Sequence, residues 1–151
     1  PGLRVGDLVA ADRVVDEDVG EEFLPDAALL AAAPGRRGTL LTTARAVRTP
    51  ADRAARHGLA CDMESAHVAR AAAAAGVPFL ALRAVTDAAH HTLPDVDRLT
   101  SAAGELSPML SLLHLLRHPA DVPRLIRLWP ASRRAGRALA DGTRAVTGPP
   151  S

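Results

Sequence analysis

Apolar residues along this 151-residue chain come in short runs, broken by Gly, Pro and acidic clusters, and the runs alternate between strand-like and helix-like texture. GDLVAADRVV (Gly6–Val15) is apolar and β-branched after a Gly-Asp turn, which predicts a strand or hairpin arm. DEDVGEEF follows as an acidic loop. PDAALLAAAPG predicts a short helix with Pro25 at its first position and Gly35 beyond its end. GTLLTTARAV (Gly38–Val47) is the next strand, and TPADRAARHG a helix capped by Thr49, with Pro50 behind the cap and Gly58 closing it. Leu59–Cys61 reads as a short strand. A helix then starts at Asp62 or its neighbour and ends at Gly76.

VPFLALRAVT (Val77–Thr86) is nearly continuous in its apolar character, the pattern of a strand buried on both faces of a parallel sheet. Strands alternating with helices predict an α/β fold with right-handed crossovers. From Leu106 the texture changes to leucine and arginine, punctuated by Pro108, Pro119, Pro123 and Pro130. That stretch predicts two or three short amphipathic helices, frayed at the end, that pack on the core as a terminal layer. Residues 1–106 are thus expected to form the α/β part, and residues 107–151 basic amphipathic helices.

Composition narrows the function classes. A chain of this length buries roughly 68–70% of its unfolded surface, and 48% of its residues are hydrophobic, so a packed core is expected. The aromatics are Phe23, Phe79 and Trp129, too few for a base-stacking surface, so nucleic acid is not an expected partner. The net charge of +1 conceals a split: residues 117–151 balance to +5 and the remainder to −4, with every basic side chain an arginine. The single cysteine, Cys61, cannot form an internal disulfide, which fits a reducing, cytoplasmic setting. Cys61 itself reads as a small buried hydrophobe. The uncharged run Ala71–Leu82 is shorter than the ~20 residues of a bilayer span.

Two carboxylates stand out. Glu64 opens an alanine-rich helix, and Asp87 ends the apolar strand. Open α/β sheets bind ligands at the carboxyl ends of strands, so the two acids would share a crevice if their strands were neighbours. Structural duties compete with that reading: an acid near a helix start interacts with the macrodipole, and an Asp after a strand is an ordinary turn residue. His90-His91 lacks the Cys or Glu spacing of a zinc set, and no metal site is expected. His67 lies one turn after Glu64 and reads as a packing histidine with a place near the site as the alternative.

CDMESAHVARAAAAAGVPFLALRAVTDAA resembles the signature of the nucleoside phosphorylase and methylthioadenosine/adenosylhomocysteine nucleosidase superfamily. The resemblance rests on Met63-Glu64 opening the helix and on Arg83-Ala84-Val85-Thr86-Asp87 closing the strand. GDLVAADRVV is also similar to a strand of that family, and the tail is similar to its hopanoid-associated phosphorylase branch. The resemblance implies a mixed or mostly parallel sheet flanked by helices, truncated at the N-terminus. It implies cleavage of the N-glycosidic bond of a purine nucleoside by phosphorolysis or hydrolysis, with an adenosyl-lipid of hopanoid biosynthesis as one substrate. A methylthioadenosine/adenosylhomocysteine nucleosidase and a non-catalytic binding or oligomerisation module are the alternatives.

By the same resemblance Asp87 is the acid that protonates or hydrogen-bonds the purine at N7, a role worth about 10²–10⁴-fold in rate. Glu64 accepts hydrogen bonds from the ribose 2′- and 3′-hydroxyls, Met63 packs on the sugar, and Thr86 orients Asp87. Arg83, in so apolar a strand, needs a carboxylate partner. No cofactor is implied, and phosphate enters only as a co-substrate. A homo-oligomer is expected. The basic, leucine-rich stretch 110–137 carries an expectation of peripheral membrane contact, against the simpler role of covering the sheet.

The family's Gly-rich phosphate loop and water-activating acid have no counterpart in this sequence. The 151 residues alone are therefore expected to turn over little substrate. Ala46 or Val47 falls where nucleosidases place an aromatic on the purine, which leaves base specificity open.

Overall fold

The computed structural model describes residues 2–47, 49–86 and 122–148. Strand β1 (Leu8–Asp16) is the centre of a five-stranded sheet with the order β2-β1-β3-β4, and β5 also pairs with β1. β3 (Arg36–Thr42) runs parallel to β1 along its whole length, and β4 (Ala60–Asp62) runs parallel to the far edge of β3. The other edge of β1 is shared. Leu8–Ala10 pair antiparallel with β5 (Leu82–Ala84), whereas Val14–Asp16 pair antiparallel with β2 (Glu21–Phe23). The register against β3 shifts between Ala11 and Arg13, which leaves the exposed Asp12 outside the ladder.

The core is made of small residues. Ala11, Val14, Leu40, Ala66 and Ala81 form the buried cluster, with Phe23, Ala60 and Phe79 packed against it. Helix α3 (Ser65–Ala75) meets the sheet through Ser65, Ala66 and Ala69, so its backbone approaches closely without a large side chain between. Its remaining alanines contribute helix propensity at the surface rather than core volume. Gly76 ends the helix in the left-handed conformation at φ 64°, with its own N–H and that of Val77 satisfying Ala73 and Ala72 carbonyls.

Arg70 fastens α3 to the β1–β2 hairpin. Its guanidinium lies 2.8 Å from the buried Asp16 carboxylate, 2.7 Å from Glu21 and 5.6 Å from the Phe23 ring centroid. The Arg70 hydrogen bond outweighs burial and holds the Asp16 pKa below the usual range.

The hairpin arm, the Thr49 cap of helix α2 (Pro50–Ala54) and the Gly76 end of α3 form as the sequence predicts. Other elements differ. Helix α2 stops at Ala54, short of Gly58, and α3 starts at Ser65 because Asp62 is taken up by β4. In α1 (Ala27–Ala32) the cap is Asp26, whose carboxylate accepts from the N–H groups of Ala28 and Leu29 at 2.9 Å; Pro25 lies before the cap rather than at the first helical position. Only Leu82–Ala84 of the apolar run pair as a strand, antiparallel rather than parallel, and Val77 is exposed. The apolar pattern reports burial, not strand direction, and Pro78 brings no N–H to a ladder.

Residues 107–121 of the tail lie outside the described residues, and the described part is a single helix. Helix α4 (Val122–Thr147) contains Pro130 in its interior. It packs on the sheet through Gly142, where a Cβ would come within 2.8 Å of Leu8 Cδ1 and 3.2 Å of Leu82 Cδ2. Among the described residues no helix is long and apolar enough to cross a membrane.

Candidate active site

The carboxyl end of β4 and the start of α3 are built around Asp62. One carboxylate oxygen accepts from Thr42 Oγ1 at 3.0 Å and from the Ser65 N–H at 3.2 Å. The other accepts from the Ser65 hydroxyl and from Arg83 Nε, the latter at 2.6 Å. Thr42 Oγ1 in turn accepts from the Ala66 N–H at 2.9 Å. Asp62 thus satisfies the open Ser65 N–H at the start of α3, while Thr42 satisfies that of Ala66, and Asp62 supplies the partner that Arg83 requires. Burial pushes the Asp62 carboxyl upward, but the Ser65 hydroxyl and the Arg83 guanidinium together outweigh it and hold its pKa below the usual carboxylate value.

A lowered pKa means that the folded state binds this proton less readily than the unfolded chain does. Stability from Asp62 is therefore complete above its unfolded pKa of ~3.9 and lost as the pH falls through its folded value. Asp62→Asn is expected to cost about 2 kcal/mol at pH 7, because Arg83 loses its charged partner. In chemical denaturation the gap from wild type should narrow as the pH drops below about 4. A gap independent of pH would show that the Asp62 charge does not support the fold.

With Asp62 occupying the capping role, Glu64 is left without a structural one. It sits at the N-cap position of α3 with φ −127° and ψ −26°, and its side chain caps nothing. Its carboxylate is 68% exposed, with a marginal 3.5 Å approach to Arg83 Nη2. Met63 beside it is 39% exposed, unusual for a large apolar side chain and inconsistent with a core position. Both line a cleft of about 540 Å³, together with Ala46, Val47, Arg83 and Thr86, a size within the ordinary range for small-molecule sites.

The structure brings Met63, Glu64 and Thr86 together, but not by the predicted route. β4 and β5 are not neighbours, since β1 and β3 lie between them. Asp87 lies outside the described residues, as do His90 and His91. Two further expectations are corrected. Cys61 is exposed and lines the cleft, because β4 is a three-residue edge strand; desolvation by its surroundings nevertheless raises its pKa, so it rests as a thiol rather than a nucleophilic thiolate. His67 is exposed, not packed, and lies 3.3 Å from Arg70 on the side of α3 away from the core and outside the cleft lining.

The cleft lining among the described residues contains no aromatic side chain; Ala46 and Val47 are small there, as the sequence suggests. Among the described residues no group of three or more His, Cys, Asp or Glu is placed to hold a metal ion.

Residues 1–116 match the family described as the phosphorylase superfamily. The chain belongs to that superfamily. It is 37% identical over 143 residues to the futalosine hydrolase of Streptomyces coelicolor, an alignment covering 73% of this chain and 61% of that protein. A solved relative is the methylthioadenosine/adenosylhomocysteine nucleosidase of Colwellia psychrerythraea in complex with adenine, 25% identical with a TM-score of 0.51 over 56% of this chain and 48% of that one. The adenosylhomocysteine nucleosidase of Streptococcus pyogenes, with 5-methylthiotubericidin, superposes with a TM-score of 0.60 over 95% of this chain and 60% of the other; at 22% identity it shows the shared fold. The chain spans about 61% of the length of its futalosine hydrolase relative. The mixed, largely parallel sheet flanked by helices is that of these phosphorylase-superfamily nucleosidases.

Sequence reasoning did not single out Asp62 as the centre of the site. Its signal was present in Asp62-x-x-Ser65, a side chain three residues ahead of the N–H it caps. Arg53 and Arg56, which also line the cleft, carried no comparable signal.

Proposed function

We propose that this chain carries the sugar- and base-binding part of an enzyme that hydrolyses the N-glycosidic bond of a purine nucleoside. The observation that carries the reading is Glu64: a carboxylate at the mouth of a cleft, relieved of helix capping by Asp62 and mostly exposed. Two oxygens of one carboxylate match two vicinal hydroxyls, and each charge-assisted bond is worth about 1.5–3 kcal/mol. Met63 places a polarisable thioether beside the sugar.

Bond cleavage leaves positive charge on the sugar and negative charge on the departing base. Asp87, one residue beyond Thr86, gives its proton to purine N7, so that the base leaves neutral while water adds its oxygen to C1′ and releases a proton to solvent, from which the Asp87 carboxyl is reprotonated. Water rather than phosphate is favoured by the hydrolase and nucleosidase names of the relatives. No cofactor takes part. The cytoplasm is the proposed location and a homo-oligomer the proposed assembly.

Measuring base release by the native gene product from adenosine, inosine and 5′-thioether nucleosides, with and without inorganic phosphate, tests the reading. Phosphate-independent release with free sugar as product is expected. Sugar 1-phosphate formed only when phosphate is present would replace hydrolysis by phosphorolysis. The tail sequence, similar to the hopanoid-associated branch, favours a second reading in which the substrate is an adenosyl-lipid and residues 110–137 rest on the membrane. Adenine release from such a lipid, together with co-sedimentation with anionic vesicles, would select it.

A further inference from the structure

The connection from β3 to β4 forms one wall of the cleft, through Ala46, Val47, Arg53, Arg56 and Gly58. Its ends are fastened to the sheet. The Thr43 N–H donates to the Asp62 carbonyl at 2.9 Å, and the Leu59 N–H to the Thr39 carbonyl at 2.8 Å. Between these points lies α2, which has no buried residue, so apolar burial does not press it onto the core.

Several polar contacts of this stretch close within it. Thr49 Oγ1 accepts from the Asp52 N–H at 3.1 Å, Arg53 Nη2 donates to the Val47 carbonyl at 3.1 Å, and Arg56 Nη1 donates to the Asp52 carbonyl at 2.8 Å. They shape the wall without attaching it. Arg56 Nε does attach it, reaching Glu17 at 2.9 Å across 39 positions.

Glu17 is a firm base for that contact. Its N–H donates to the Thr42 carbonyl at 3.0 Å, and the neighbouring Asp16 is held by Arg70 of α3. Since α3 starts at the Glu64 side of the cleft, the Glu17–Arg56 pair joins its two walls. Glu17 itself is outside the cleft lining, and the pair is partly exposed, 28% at Arg56 and 36% at Glu17. An ion pair in that setting is weak enough to open and close.

We propose that Glu17 and Arg56 form a latch that holds the α2 connection in place as a movable wall of the nucleoside cleft, with Glu17 a positioning residue that never touches substrate. The inference rests on the nucleoside-cleaving reading for its ligand and adds a device for opening the site.

The test follows the wall through Cys61, the sole cysteine of the chain, which is exposed and lines the same cleft. Alkylation by a bulky maleimide is timed at one pH on the native protein, Glu17→Gln, Arg56→Gln and the double variant. Releasing the wall should speed the reaction by about 2- to 5-fold in each single variant, the span of one such ion pair. The double variant should be no faster than the singles, because the pair is broken only once. Charge alone predicts a different pattern. Glu17 raises the Cys61 pKa and Arg56 lowers it. Without a latch Glu17→Gln would react faster, Arg56→Gln slower, and the double variant like the native protein. That pattern, or unchanged rates throughout, would overturn the latch.

Kinetics give the functional arm. KM for base release should rise by about 2- to 5-fold in Glu17→Gln with kcat within about twofold of native. Added salt should raise the native KM towards that of the variant. A fall in kcat at unchanged KM would overturn the positioning role. If no nucleoside is bound or cleaved, the nucleoside-cleaving reading fails, and the alkylation pattern decides the latch by itself.

Discussion

Glu64→Gln is expected to lower kcat/KM for nucleobase release by about 10²–10³-fold, the loss of one or two charge-assisted hydrogen bonds to the sugar. Glutamine keeps the size and rotamers of the side chain but replaces one acceptor oxygen by a donor and removes the charge. The fold should not notice. Glu64 caps no helix, is 68% exposed and reaches Arg83 only at 3.5 Å, and an exposed pair of that length contributes less than about 0.5 kcal/mol. The contrast with Asp62→Asn is the informative part. Two acids two residues apart should separate cleanly, one into stability and the other into catalysis. Steady-state kinetics and denaturation of both variants check this, and wild-type kcat/KM in Glu64→Gln would remove the sugar role.

Asp87→Asn is expected to reduce kcat by about 10²–10⁴-fold, the range for loss of a positioned general acid. Asparagine can still donate a hydrogen bond to purine N7 but cannot pass it a proton, so the base must leave with its negative charge. The loss should be smallest for bases that leave readily as anions and largest for unsubstituted adenine. The acid-dependent limb of the pH–rate profile should disappear with the carboxyl group. An unchanged profile in Asp87→Asn would place the proton donor elsewhere.

Much of this architecture was legible in the residues. Thr49-Pro50 marks its helix start and Gly76 its helix end because cap chemistry is local: a hydroxyl for open N–H groups, a glycine for positive φ. Met63, Glu64 and Thr86 are singled out by their resemblance to a known signature, and all three line one cleft. What was hidden is non-local. Nothing in VPFLALRAVT states that Leu82–Ala84 run antiparallel to β1, because an apolar run is the same read in either direction. Nor does the alternation of strands and helices reveal that β1 takes three partners by sharing one edge between β2 and β5. The Asp62 network joins Thr42, Ser65 and Arg83, separated by up to 41 positions in the numbering, and only folding makes it a unit.

Glycine shows the same division at Gly35. Its position after α1 suggests a helix stop, but α1 is closed by Ala33 in an extended conformation, and Gly35 takes its φ of 105° two residues later. The tighter constraint is tertiary, since a Cβ there would lie 2.6 Å from the Leu8 carbonyl oxygen on the neighbouring strand.

The central claim is that Glu64 holds the sugar hydroxyls of a nucleoside, and a double-mutant cycle with a non-cleavable C-nucleoside tests it most directly. Calorimetric titration would compare the ligand with its 2′,3′-dideoxy form, on wild type and on Glu64→Gln. Removing the hydroxyls should weaken binding to wild type by about 2–4 kcal/mol and to the variant by far less, a coupling of about 2 kcal/mol. Equal losses on both proteins would contradict the account.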